Sequence, residues 1–429
     1  MAKKKMKKKT AKKAKTTPKA KASTKKAEAK RKTGQGKKKT KEKAGKRGPV
    51  TKKKSPAKKA AKRTPARRKA PQEPKPTKPR PAAEDDDVEA PGWDAIDGAF
   101  EALYGDQEPL HWGTIIRWSL GGPDPLDGLS AYRVEEPVPH WHLVGYGLSE
   151  LYEKTSEHED QSGWGFELTM RLRRKDDEKS PPGWALSVLQ NLSRYVATTG
   201  NTFAAGHHMD LNGPIALGTE TEIRAVAFAE DPELPPLDTP NGKLQFVQVV
   251  GLTPDELKAI QRWDATRFLG ILERRHPKHV LDLERRSILD DPMTQAEVEV
   301  SIEAEGSSMG GVYVAALAWK DAAEGATLEL GALYVTSLID LLRGRTRHSR
   351  FFSMDGPAQR LSVTPGEVAA RAVDGETLSL MLPPGLAAEL AGRLQPTRGR
   401  YAWPEVGMTI VVEPTEITGA SGDVEAVIG

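Results

Sequence analysis

The sequence predicts an α+β fold: mixed and antiparallel sheets with flanking helices in two lobes, preceded by a disordered basic tail. Three observations carry this reading. Charge splits the chain, because residues 1–80 hold 36 Lys and Arg against three Glu, a net +33. That leaves 29 basic against 56 acidic residues in 81–429, a net −27, so the overall +6 describes neither part. From residue 92 onward, period-2 and helical spacings alternate without regular βαβ units, which favours a mixed sheet over a doubly wound one.

The tail (1–82) is nearly all Lys, Ala, Thr, Pro and Arg, and residues 1–80 contain no aromatic side chain. Such a segment buries too little apolar surface to offset its ordering entropy and is expected to be disordered. Its charge density suits a polyanion. The expected nucleic-acid contacts are Lys3, Lys4, Lys5, Lys7, Lys8, Lys9, Lys37, Lys38, Lys39, Lys52, Lys53, Lys54, Lys58, Lys59, Arg67 and Arg68. They would act on phosphates without base readout, since no folded element is available to enter a groove. Thr17-Pro18-Lys19, Ser55-Pro56-Ala57-Lys58 and Thr64-Pro65-Ala66-Arg67-Arg68 give the tail a composition that resembles histone H1-like tails. Residues 83–91 (AEDDDVEAP) reverse the sign and read as a linker.

The absence of cysteine excludes a disulfide framework, a thiolate zinc site and a cysteine nucleophile. The opening MAKKKMKKKT has no apolar run behind it, and no run of about 18 apolar residues occurs, so neither a secretory signal nor a membrane span is expected. A cytoplasmic, nucleoid-associated protein with no membrane partner is the expectation.

The central body (92–292) opens with Trp93, Ile96, Phe100, Leu103 and Tyr104 at helical spacing. LHWGTIIRWSLGGPDPLDGLSAYR reads as a strand, a turn-rich loop and a second extended piece, with Gly121-Gly122-Pro123 and Asp124-Pro125 supplying the turns. Pro139 to Arg173 is the organising stretch. Within it Phe166, Leu168, Met170 and Leu172 alternate with Glu167, Thr169, Arg171 and Arg173, the pattern of a strand with one buried face. ALSVLQNLSRYVATTG reads as a helix closed by Gly200, and IRAVAFA and KLQFVQVVGL as further strands. Thr253-Pro254-Asp255-Glu256 predicts a helix start with Thr as N-cap, Pro at N1 and Glu at N3.

The C-terminal body (293–429) reads as a second α+β unit. AEVEVSIEAEG predicts a strand with Val298, Val300 and Ile302 inward and an acidic outer edge from Glu297 to Glu305 that discourages edge pairing. TLSLMLP and MTIVVEP read as strands, LYVTSLIDLLRG and PPGLAAELAGRL as helices. RGRTRHSRFF, from Arg343 to Phe352, is a basic patch expected to be a solvated loop.

Eight of the nine histidines lie between 111 and 279. His140, His142, His207, His208 and Asp210 are the residues a divalent metal would use, imidazole plus carboxylate being a suitable set. Such a site needs the two segments to meet, and adjacent strand residues point to opposite faces. Structural hydrogen bonding beside Trp141 is the preferred reading. No nucleophile elbow, phosphate loop or HExxH pattern is present, so no catalytic residue and no cofactor is assigned.

The long stretches GWDAIDGAFEALYGDQEPLHWGTIIRWSLGGPDPLDGLSAYR, PHWHLVGYGLSELYEK, SGWGFELTMRL, GNTFAAGHHMDLNGPIAL, DTPNGKLQFVQVVGLTPDELKAIQRW and DLERRSIL span about 92–289. In that order they resemble the Suppressor of fused domain, and GHHMDLNGPIAL resembles its bacterial branch. The resemblance implies a non-enzymatic binding module. Animal members clamp a short peptide of a transcription factor as an added strand, and bacterial members have been proposed as immunity proteins of toxin systems. This chain departs from the animal pattern after GLSELY, where an acidic loop from Glu153 to Gln161 follows. Tyr152, Glu153, Lys154, Glu157 and Trp164 are therefore the expected contacts for a protein or peptide partner. The expected function is a protein-binding or sequestering module tethered to nucleic acid. The alternatives are a DNA-compacting factor driven by the tail and a metal-dependent enzyme using the histidine segments.

Overall fold

The computed structural model describes residues 89–429 apart from 117, 119–120 and 419–422. The alternating segments between 110 and 252 assemble into one eight-stranded sheet: β1 (Leu110–Gly113), β2 (Gly128–Val134), β3 (His140–Tyr146), β4 (Gln161–Arg173), β5 (His208–Asp210), β6 (Ala225–Glu230), β7 (Leu237–Thr239) and β8 (Gly242–Leu252). The order is β1-β2-β3-β4-β8-β6-β5, with β7 paired to β8. Only β4 and β8 run parallel within it. A parallel pair needs a long crossover, and the connection through α2 (Gly183–Thr199) supplies it. Gly200, with φ 76°, ends α2 where a left-handed residue is required.

Helices cover both faces of this sheet. Trp141, Leu143, Leu168, Met170 and Val249 pack against Leu186, Leu189 and Val196 of α2. On the other face, Tyr132, Val144, Tyr146 and Phe246 meet Trp93, Ile96 and Phe100 of α1 (Pro91–Tyr104). Beside them, Ala225, Ala227, Val250 and Leu252 meet α3 (Pro254–Arg262) and α4 (Ala265–Arg275). The capping box at the start of α3 forms as expected, with the Thr253 N–H donating to Glu256 at 2.9 Å. Glu256 also takes Arg285 of the DLERRSIL stretch at 2.6 Å, tying that stretch to the helix start.

This two-sided cover corrects the one-faced reading of β4. Glu167, Thr169 and Arg171 are as buried as the apolar residues between them; Arg173 alone of the polar set is exposed. Alternating polarity along a strand separates two faces but does not say that the polar one is wet.

The predicted strand at 296–306 is a helix, α5 (Pro292–Glu305). Val298 and Ile302 are buried, as either structure requires, because a spacing of four satisfies both period 2 and a helix face. Val300 decides between them: a strand would bury it, and it is 69% exposed. Asp291 caps the helix by accepting from the Met293 N–H, and Pro292 occupies the first turn. The supposed acidic edge is an ion-pair ladder. Glu297, Glu299, Glu303 and Glu305 pair with Arg274, Arg262, Arg347 and Arg267. Val298 and Ile302 join the core built by α3 and α4.

Beyond α5, β9 (Gly311–Tyr313), β10 (Leu317–Ala322), β11 (Gly325–Gly331), β12 (Phe352–Asp355), β13 (Arg360–Pro365), β14 (Ala370–Asp374), β15 (Thr377–Leu382), β16 (Gly399–Trp403) and β17 (Met408–Glu413) form two sheets. Their orders are β10-β11-β17-β16 and β14-β15-β13-β12-β9, and β18 (Thr415–Thr418) pairs with β19 (Val424–Ile428). One apolar core unites both sheets with α6 (Ala332–Gly344) and α7 (Pro384–Arg393). Arg343 to Phe352 is not a solvated loop. It ends α6, makes a 3-10 turn at Thr346–His348 and starts β12, with Arg345, Thr346 and Phe352 buried.

Candidate protein-interaction surface

Strand register brings two loops to one end of the large sheet. Gly113 faces Gly128, and Gly128 faces Tyr146, so the loops 114–127 and 147–160 leave side by side. The turn between β7 and β8 joins them: Asn241 Nδ2 donates to the Glu150 carbonyl at 2.8 Å, and the Lys243 N–H to the Asp160 carbonyl at 2.9 Å.

Two carboxylates fold the second loop. Glu150 accepts from the backbone N–H groups of Thr155 (2.6 Å), Ser156 (2.6 Å) and Gly163 (3.1 Å). It also accepts from both hydroxyls and from Lys154 Nζ at 2.9 Å. Burial pushes this carboxyl up, but those donors outweigh burial and bring it down to about 2. Beneath the loop, Glu167 Oε1 accepts from the Gly147 and Ser149 N–H groups (2.9 and 2.8 Å) and the Ser149 hydroxyl (2.6 Å). Its Oε2 is buried with no hydrogen-bond partner among the described residues, and burial pushes the acid up to about 7. The start of α1 docks on the same loop through the Gly92 N–H to the Leu151 carbonyl at 3.0 Å. A Cβ at residue 92 would lie 2.1 Å from the Glu150 carbonyl oxygen, so only glycine allows this approach.

Beside this folded loop, the 114–127 loop and the start of β4 display large apolar side chains. Ile115 is 100% exposed, Ile116 52%, Trp118 43% and Trp164 36%, against near-zero exposure for the cores. Trp164 sits between Gly163 (φ 53°) and Gly165 (φ 82°), and its N–H donates to the Leu148 carbonyl at 2.8 Å. On the neighbouring 147–160 loop, Glu153, Glu157, Glu159 and Asp160 are exposed and acidic. Scattered exposed apolar residues are ordinary; several gathered at one end of a sheet beside a run of exposed carboxylates have the anatomy of an interface.

The expected partner contacts divide. Glu153, Glu157 and Trp164 are at the surface, and Tyr152 is half-buried against the α1 core. Lys154 is a clasp instead, its amine donating to Glu150, to Ser156 and to the Gln161 carbonyl. Sequence reading passed over Ile115, Ile116 and Trp118; the signal was TIIRW standing directly before a glycine- and proline-rich turn, where no core is available to it. The lysines and arginines assigned to nucleic acid, Lys3 to Arg68, lie outside the described residues.

The histidine segments do not meet. His140 and His142 lie on β3 and His208 and Asp210 on β5, with β4, β8 and β6 between, roughly 19 Å at sheet spacing. His207 is exposed, and Asp210 accepts from the Asn212 N–H at 2.7 Å. Among the described residues no group of three or more His, Asp or Glu is placed to hold a metal. His140 Nδ1 donates to the Val138 carbonyl at 2.7 Å. His142 belongs to a buried polar network: Nε2 donates to Asp231 (3.2 Å), and Nδ1 accepts from the Tyr104 hydroxyl (2.7 Å). Arg171 holds both Asp231 oxygens, at 2.7 and 2.9 Å, and reaches Glu233 at 3.0 Å. Burial raises the Asp231 carboxyl, but His142 and Arg171 hold it far below the usual range. Burial and the Arg171 charge lower His142 to about 4, so it is neutral at pH 7. This network braces the sheet opposite α2 and offers no open position for chemistry.

Comparison with known proteins locates this architecture. Residues 122–286 match the family model described as Suppressor of fused protein. Human and mouse Suppressor of fused homologs are each 39% identical over 247 residues, covering 54% of this chain and 51% of theirs. The chain belongs to the Suppressor of fused domain family. It spans about half the length of those curated relatives. The crystal structure of Drosophila Suppressor of Fused superposes with a TM-score of 0.67 at 23% identity, covering 76% of this chain and 97% of that one, which shows a shared fold. The matched residues include β2 to β8 and the buried Arg171–Asp231 pair, while β1 and the first part of the 114–127 loop precede them. No helix among the described residues is long and apolar enough to cross a membrane.

Proposed function

We propose that the folded body is a non-enzymatic module that grips a protein or peptide through the loop end of its large sheet, while the basic tail tethers it to nucleic acid. The observation that carries the reading is the set Ile115, Ile116, Trp118 and Trp164, exposed at one end of the large sheet beside the carboxylate-rich 147–160 loop that Glu150 and Glu167 fold. Aromatic and aliphatic anchors supply affinity, and an acidic rim selects a basic partner and rejects an acidic one. A basic toxin domain is one partner of this chemistry, and neutralising it by occupation needs no catalytic group. The tail, with 36 basic and three acidic residues in 1–80, supports a salt-sensitive, sequence-independent attachment.

The test is affinity capture with the full chain, washed in high salt to release polyanions from the tail. A discrete protein should be retained by the wild type and depleted at least tenfold by Ile116→Glu and by Trp164→Ala. Equal recovery by all three, or no retained protein, would overturn the reading. Removing residues 1–80 should abolish DNA retention and leave the captured protein unchanged.

A further inference from the structure

Between α3 and α6 lies a cleft of about 400 Å³ that the interaction surface does not use. Lys258 and Arg262 enter it from α3, and Arg343, Arg347 and His348 from the end of α6 and the turn after it. Only two carboxylates line it, Glu303 and Asp340. This excess is conspicuous where residues 81–429 carry a net −27.

Neutralisation is incomplete. Arg262 pairs with Glu299 and Arg347 with Glu303, but among the described residues Lys258 and Arg343 are in no ion pair. Asp340 feels Arg262, Lys258 and Arg343, yet burial is the larger influence and leaves its carboxyl raised. Next to the cleft, Arg345 and Arg350 spend their guanidinium groups on neutral carbonyls, of Phe351 (2.8 Å) and of Ser307 (2.8 and 3.1 Å). The cations therefore press on one another: burial and then Arg347 and Arg350 lower His348, and burial and then Arg350 lower Arg345. Like charges gathered in a cleft raise the energy of the empty state and await a counter-charge.

We propose that this cleft binds a small polyphosphate anion, a di- or triphosphate group. Two or more negative charges match the unpaired cations, and guanidinium forks suit phosphate oxygens. A bounded cleft of this size fits a phosphate chain or nucleotide, not a duplex. Because α3 packs on the eight-stranded sheet and α6 within the second core, the ligand would tie the two halves of the body together.

Hydrogen exchange on the full chain tests this without confusion from the tail, since only local protection is read. Inorganic tripolyphosphate at 1 mM is expected to slow exchange at least threefold in peptides covering 256–262 and 340–350. The double variant Lys258→Glu/Arg343→Glu should lose that protection while exchanging like wild type elsewhere. Should the double variant fold poorly, Arg343→Gln, at an exposed position, should weaken the protection on its own. ATP and tripolyphosphate in separate arms distinguish a nucleotide from a bare phosphate chain. Protection by neither ligand, protection retained in the variants, or equal protection by sulfate would overturn the proposal.

Discussion

Replacing Glu150 by alanine removes the acceptor that closes the 147–160 loop, and the structure sets the size of the effect. Six donors converge on this carboxylate, three of them backbone N–H groups, and its side chain is only 9% exposed. Several donors regain water when the loop opens, so about two charge-assisted bonds of about 1.5 kcal/mol each are lost, about 3 kcal/mol in all. The lowered pKa gives a matching figure: a fall from 4.5 to about 2 corresponds to about 3 kcal/mol of preference for the ionised form in the folded loop. An opening equilibrium raised by about 3 kcal/mol makes exchange about a hundredfold faster where opening is local. Hydrogen exchange should show that change at Ser156 and Gly163, with α2 and β4 unaffected. The sign also fixes a pH dependence: the stabilisation is complete above the ordinary carboxylate value and disappears as pH falls from 4.5 towards 2. Unchanged protection at Gly163 in the alanine variant would refute the clasp.

Three further outcomes follow from the buried groups. Arg171→Leu strands Asp231 without its bidentate partner and should cost about 3–5 kcal/mol in urea unfolding; a loss below about 1 kcal/mol would contradict the network. Glu167, raised to about 7, binds its proton more tightly folded than unfolded, so its contribution declines as pH rises from 4.5 through 7. His142, lowered to about 4, acts oppositely between 4 and 6.5 and offsets that decline in the wild type. Glu167→Gln should therefore gain up to about 3 kcal/mol relative to wild type between pH 4.5 and 7, and equal pH profiles would exclude the assignment. Ile302→Ala should cost about 2–4 kcal/mol and Val300→Ala less than about 0.5; equal costs would restore a strand there.

The elements written in local chemistry were legible: the capping box at Thr253, the glycine closing α2, and the alternation of β4 and β15. What the sequence withheld depended on tertiary partners. Val298 and Ile302 fit either periodicity, and the arginines of neighbouring helices turned their glutamates into ion pairs. Arg171 looked like a wet residue because its partners, Asp231 and Gln248, lie 60 and 77 positions away. Trp164 could be found from its flanking glycines. The apolar tip at Ile115 and Ile116 was marked only by its place before a glycine- and proline-rich turn, because exposure depends on whether anything folds over it.

Photo-crosslinking in cells expressing the full chain tests the central claim most directly. A benzoylphenylalanine placed at position 116 and, separately, at 164 should capture the same protein, while one at Leu333, exposed on α6, should not. Capture of that protein from all three positions, or of none from 116 and 164, would contradict a binding surface at the loop end of the sheet.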